Sequence, residues 1–171
     1  RDGLLLKSDI EDYVTFSHNR VDYKTVTTYK ENMLRRAYKH IHRKLEKDPE
    51  FERFCYENAY WLEDYALFIT LKEYFHGVAW SDWPEDLRYR KEETLRDWKE
   101  KLKDRILMEK FFQFLFFKQW FSLKRYSNSK NIQIIGDIPI YVTYDSSDVW
   151  ANPEIFKLDD AKKPMLVAGV P

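Results

Sequence analysis

Between Val26 and Leu45 apolar residues return every three or four positions: Val26, Tyr29, Met33, Leu34, Ala37, Tyr38, Ile41 and Leu45. That period brings them to one face of a long helix. Lys30, Arg35, Arg36, Lys39, Arg43 and Lys44 fill the opposite face. Such a stripe is the mark of a solvated surface, with nucleic-acid reading as its other use. Asp22 stands where its carboxylate can cap the start. Upstream, Ser8 followed by Glu11 fits a capping box that opens a short helix. Asp48-Pro49 ends the long helix and starts another, with Asp as cap and Pro in the first turn. Trp61 to Phe75 is apolar nearly all round and predicts a further helix, stopped at Gly77. Leu95, Trp98, Leu102 and Ile106 mark the next one. Met108 to Tyr126 is so apolar that the helix it predicts must be buried between other elements. Ser127-Asn128-Ser129 closes the helical part.

The pattern changes at Ile132. Ile132-Gln133-Ile134-Ile135-Gly136-Asp137 is a short β-branched run ending in Gly-Asp. A continuous apolar strand is what a parallel sheet buried on both faces requires. A helix followed by such a strand is half of a βαβ unit, from which barrels are built. One strand makes no sheet, so its edges need neighbours that this chain barely supplies. After Asp137 turn residues recur, among them Pro139, Asp145-Ser146-Ser147-Asp148, Asn152-Pro153, Asp159-Asp160, Pro164 and Gly169. They predict a long loop with at most short strands, on the scale that carries function. Two parts are therefore expected: residues 1–126, a helical subdomain, and residues 127–171, a buried strand with its following loop.

Composition narrows the classes. The 171 residues suit one ordinary domain, and 44% of them are hydrophobic, enough for a core. Six Trp, twelve Tyr and twelve Phe make the chain unusually aromatic. Most of these belong in the core, although aromatic rings also stack on flat ligands, sugar rings included. Lys plus Arg equals Asp plus Glu at 29 each, so the basic excess of a duplex-binding protein is missing. The longest apolar stretch, near Phe111 to Phe117, is short and closely flanked by Lys110 and Lys118, which argues against a membrane span. Cys55 is alone, so neither an intramolecular disulfide nor a cysteine-based zinc site can form; it reads as a packing residue. The start, Arg1-Asp2-Gly3, has no initiator Met and no leader-like apolar run. A piece of a longer, soluble, cytoplasmic protein is expected.

Candidate chemistry gathers late in the chain. A carboxylate at the C-terminal end of a buried parallel strand, here Asp137, points to where barrels carry active sites. Asp145 and Asp148 follow in the loop. Paired carboxylates suit glycosidic chemistry, which needs a nucleophile and a general acid. Turn formation and helix capping are the plainer roles for those two residues. Trp80 and Trp83, in Trp80-Ser81-Asp82-Trp83-Pro84, offer either a sugar-stacking platform or a clamp between helices.

The stretch Gly136-Asp137-Ile138-Pro139-Ile140, followed by Asp145-Ser146-Ser147-Asp148-Val149-Trp150 and by Val167-Ala168-Gly169-Val170-Pro171, resembles a signature of glycoside hydrolase family 77, the 4-α-glucanotransferases or amylomaltases. Upstream elements match in order: Trp61-Leu62, Asp64-Tyr65-Ala66-Leu67-Phe68, Trp80, Trp83-Pro84, Gln113-Phe114, Phe116-Phe117 and Gln119-Trp120. The resemblance implies an α/β fold, a segment of a (β/α)8 TIM barrel. Within it a helical insertion precedes one buried barrel strand and a long loop. It implies transfer of an α-1,4-glucan segment to the 4-hydroxyl of glucose or another maltooligosaccharide, with retention through a covalent glycosyl-enzyme. It implies no metal and no organic cofactor. The implied partners are maltooligosaccharides, starch- or glycogen-derived glucans and the remainder of the barrel, with no nucleic acid and no membrane. Asp137 matches a supporting residue beside the cleavage subsite, and Asp145 and Trp150 are candidates for substrate contact. Tyr141 and Val142 stand where wider relatives place Asn-His, which removes one sugar-binding His. Thr143 replaces an expected Ala. The family's nucleophilic aspartate, acid/base glutamate and third aspartate lie on later strands, so no catalytic residue is expected here. A non-catalytic helical module that binds glucan or protein is the alternative reading.

Overall fold

The computed structural model describes residues 3–10, 16–17 and 19–167. The chain divides into two compact units, Arg1–Tyr56 and Glu57–Pro171. The boundary expected at residue 126 is a different division from this one by compactness.

In the first unit, α1 (Lys7–Ile10) precedes α2 (Tyr23–Leu45), and α3 (Pro49–Glu57) begins after a three-residue connection. Asp22 caps α2 as expected: its carboxylate accepts from the Thr25 N–H at 3.2 Å and from the Thr25 hydroxyl at 2.6 Å. All eight apolar positions read from the period of α2 are buried or half-buried, and Lys30, Lys39, Arg43 and Lys44 face solvent. Asp48 caps α3, accepting from the Glu50 N–H at 2.8 Å. The start of α1 differs from expectation. It opens at Lys7, so Ser8 lies inside it, and Asp9 reaches back to the Leu6 N–H at 2.7 Å. Glu11, the other half of the expected box, lies outside the described residues.

The second unit is built on α4 (Ala59–Tyr74), which is buried at Leu62, Ala66, Leu67, Phe68, Thr70 and Leu71. Thr70 is tolerated inside because its hydroxyl donates to the Ala66 carbonyl at 2.7 Å. The helix stops as predicted. Gly77 has φ +82°, in the left-handed region that favours glycine, and its N–H returns to the Lys72 carbonyl at 2.8 Å. A 3-10 turn at Trp80–Asp82 leads to α5 (Glu85–Arg88), α6 (Glu92–Lys101) and α7 (Lys103–Ser129). The single helix expected through Leu95 and Ile106 is broken at Leu102, which is buried and has φ −110° and ψ 16°.

Two expectations fail after residue 115. The second half of α7 is not buried: Phe116, Leu123 and Tyr126 are each more than half exposed. The strand expected at Ile132–Asp137 does not form, and Ile135 is 90% exposed. A strand needs a neighbour for its backbone N–H and C=O groups. Among the described residues the only ladder is one antiparallel bridge, Leu158 with Pro164. The loop is less bare than predicted, since α8 (Ser147–Ala151) and a 3-10 turn at Pro153–Ile155 lie within it. Among the described residues no helix is long and apolar enough to cross a membrane.

Candidate functional site

Asp137 stands in the exposed stretch that runs from the end of α7 to Val142. Its isoleucine neighbours Ile138 and Ile140 are 87% and 88% exposed. From Tyr144 onward the chain is held firmly. The Tyr144 carbonyl accepts from Trp80 Nε1 at 2.9 Å, and the Tyr144 hydroxyl donates to the Lys162 carbonyl at 2.6 Å. Burial pushes the Tyr144 phenol above its ordinary range; a hydrogen bond with Ser81 opposes this, and the charges of Asp82, Asp159 and Asp145 reinforce it.

Asp145 is a tie. Its Oδ2 accepts from Lys72 Nζ at 2.5 Å and its Oδ1 from the Trp80 N–H at 3.3 Å. Both oxygens are thus engaged inside the protein, and Asp145 anchors the entry to α8. Lys72 also donates to the carbonyls of Gly77 and Val78, at 2.8 and 3.0 Å, so all three ammonium donors have acceptors. The cap of α8 is Ser146, whose hydroxyl accepts from the Val149 N–H at 3.4 Å; neither aspartate caps it.

Trp150 is fully buried. Its ring meets Trp83 edge-on at 5.6 Å and lies 5.9 Å from Phe68, and Arg90 sits 4.4 Å over it. Trp150 Nε1 donates to the Leu87 carbonyl at 3.0 Å, and Trp83 Nε1 to the Val78 carbonyl at 3.1 Å. Trp80 and Trp83, 1% and 3% exposed, are therefore clamp residues and not a sugar platform. Every buried indole N–H here has a backbone acceptor, the condition for burying Trp without loss.

Where α8 meets α4, a cleft of about 150 Å³ opens, lined by Tyr60, Trp61, Asp64, Tyr65, Asp148 and Asn152 among others. Arg90 Nη2 donates to Asp64 Oδ1 at 2.7 Å. The Tyr65 hydroxyl accepts from Gln113 at 3.2 Å, and burial, with the Glu109 charge, pushes its phenol up. Asp148 is exposed, and its carboxylate has no partner among the described residues. The Trp61 to Tyr65 run was readable as a motif, but its meeting with Asp148 spans more than 80 positions and leaves no local signal. A larger hollow of 490 Å³ follows α2 beside Lys24, Tyr29 and Arg36, and contains none of the predicted site residues. Among the described residues no three His, Cys, Asp or Glu side chains gather as a metal site would need.

The family model described as 4-alpha-glucanotransferase, glycoside hydrolase family 77, matches residues 1–171. The 4-alpha-glucanotransferase of Synechocystis sp. is 41% identical over 99% of this chain, and that of Aquifex aeolicus is 44% identical over 98%. In each case the match takes 34% of the relative, so the chain spans about a third of the length of the curated relatives it matches. The structure of an amylomaltase from Streptococcus agalactiae in complex with acarbose superposes with a TM-score of 0.89 at 38% identity. It covers 99% of this chain, which takes 34% of that one.

Proposed function

This chain belongs to glycoside hydrolase family 77, and from that membership we propose that it forms part of a 4-alpha-glucanotransferase that moves α-1,4-glucan segments between maltooligosaccharides. The observation that carries the reading is the family match over all 171 residues. In such a protein the donor linkage is cut with retention. One carboxylate attacks the anomeric carbon and another protonates the leaving oxygen, about 5–5.5 Å apart. The 4-hydroxyl of the acceptor then takes the glucan from the covalent intermediate. We assign neither carboxylate to residues 1–171. Asp145 is engaged by Lys72, and Asp148 sits on the short helix α8. Asp137 is the supporting residue beside the cleavage subsite. Residues 132–137 become a barrel strand when the remaining strands pair with them, which would cover Ile135 and the bare half of α7. In that division residues 1–126 are the helical insertion and residues 127–171 the barrel's share.

The test uses the full-length protein that carries this segment. Maltotriose should be converted to glucose and longer maltooligosaccharides, and Asp137→Ala should slow that conversion strongly without lowering the melting temperature. A full-length protein that leaves maltotriose untouched would overturn the assignment in favour of a non-catalytic glucan-binding module.

A further inference from the structure

We propose that the cleft between α4 and α8 binds one glucosyl unit of an α-glucan chain, with Tyr60 as its stacking face and Asp64 and Asp148 as its hydroxyl acceptors. The identity of the sugar rests on the function proposed above; the site itself rests on geometry. Tyr60 is 86% exposed at the rim, and no ring partner covers it among the described residues. The next ring is fixed: Trp61 meets Tyr65 edge-on at 5.9 Å, lies 5.7 Å from Phe117, and donates its N–H to Asn58 at 3.1 Å. The two carboxylates approach from different helices. Asp64 gives one oxygen to Arg90 and keeps Oδ2 without a partner among the described residues. Asp148 lines the opposite wall, where the Asn152 amide is held to its carbonyl at 3.3 Å.

This combination selects a chemistry. Two carboxylates repel phosphates, carboxylates and nucleic acid, while they accept strongly from neutral hydroxyls. A flat aromatic face beside them suits the apolar C–H face of a pyranose. At about 150 Å³ the cleft is smaller than the roughly 300–1,000 Å³ of pockets that enclose drug-sized ligands. It therefore holds a single ring and leaves the rest of the chain in solvent. The walls are already ordered, because Arg90 joins Asp64 to the buried Trp150 ring one residue before Ala151. Binding thus costs little rearrangement.

The experiment compares full-length wild type with Tyr60→Ala, Tyr60→Phe and Asp148→Asn by retardation in amylose-containing native gels, with maltotriose turnover of the wild type run alongside. Tyr60→Ala and Asp148→Asn should each weaken amylose binding roughly tenfold, the loss of one charged hydrogen bond or its equivalent, and Tyr60→Phe should restore it. Melting curves establish that each variant is folded. Asp148→Asn, near-isosteric at an exposed position, decides the matter alone should Tyr60→Ala not fold. Wild-type retardation in the folded variants overturns the site, whatever the turnover. Absent turnover with retardation that still depends on Tyr60 and Asp148 overturns the transferase reading and leaves the site standing.

Discussion

Lys72 Nζ lies 2.5 Å from Asp145 Oδ2, joining the last turn of α4 to a residue 73 positions later. The same ammonium holds the Gly77 and Val78 carbonyls. The helix stop and the entry to α8 therefore share one donor. Lys72→Met removes that donor from three acceptors and should cost about 1–3 kcal/mol. Asp145→Asn keeps the shape and should cost less. A double-mutant cycle in urea should give a coupling of about 0.5 kcal/mol or more. Strict additivity of the two changes would show that the contact contributes nothing to stability.

Trp150 supplies a second prediction, because a substrate contact and a core residue respond differently. Trp150→Ala should destabilise by about 3–5 kcal/mol through the cavity it leaves. Trp150→Phe should lose about 1–3 kcal/mol, mainly because the buried Leu87 carbonyl is left without its donor. Thermal unfolding monitored by circular dichroism reads both. A variant that melts like wild type but binds glucan less well would instead favour a substrate contact for Trp150.

The third prediction concerns alkaline pH. The Tyr144 phenol is held above its ordinary value of 10.0, chiefly by burial. The fold thus favours the protonated phenol. Its contribution is complete below the open-chain value and disappears as the pH rises through the raised folded value. Denaturant unfolding between about pH 9 and 11 should show wild type losing stability more steeply than Tyr144→Phe. Equal slopes would mean that Tyr144 titrates alike in both states.

The helices were legible because their signals are local. Asp22 and Asp48 act as caps, and Gly77 supplies the φ that stops α4. Those signals need no tertiary context. The break at Leu102 was not legible, since no Gly or Pro marks it and the apolar spacing runs straight through. The helix α8 was hidden by its own composition. Five residues between turn formers carry no period, and what holds them is Trp150 in a core supplied by Phe68, Trp83 and Leu87. The inward ties of Asp145 and Trp150 were hidden for a related reason. A motif gives residue types in order, but only the fold shows that Lys72 and the Leu87 carbonyl had already engaged them. The run at Ile132–Asp137 has the composition of a strand, and composition cannot provide the partner that a strand requires.

Ile135 allows that last point to be tested by making one substitution in two contexts. In residues 1–171 the side chain is 90% exposed, so Ile135→Asp removes no packing. It should change the stability of the isolated segment little, within about 0.5 kcal/mol. The wild-type segment should also bind a hydrophobic dye or self-associate, because Ile135, Ile138 and Ile140 lie open together beside unpaired backbone. Ile135→Asp should reduce that association by placing a charge at its centre. In the full-length protein the expectation reverses. If residues 132–137 pair there as a strand covered on both faces, a carboxylate at position 135 is buried without a partner. The cost is then several kcal/mol, enough to prevent folding of a protein of ordinary stability. Equal tolerance in both contexts would show that this run stays uncovered in the longer protein, and the barrel-strand assignment would fall with it.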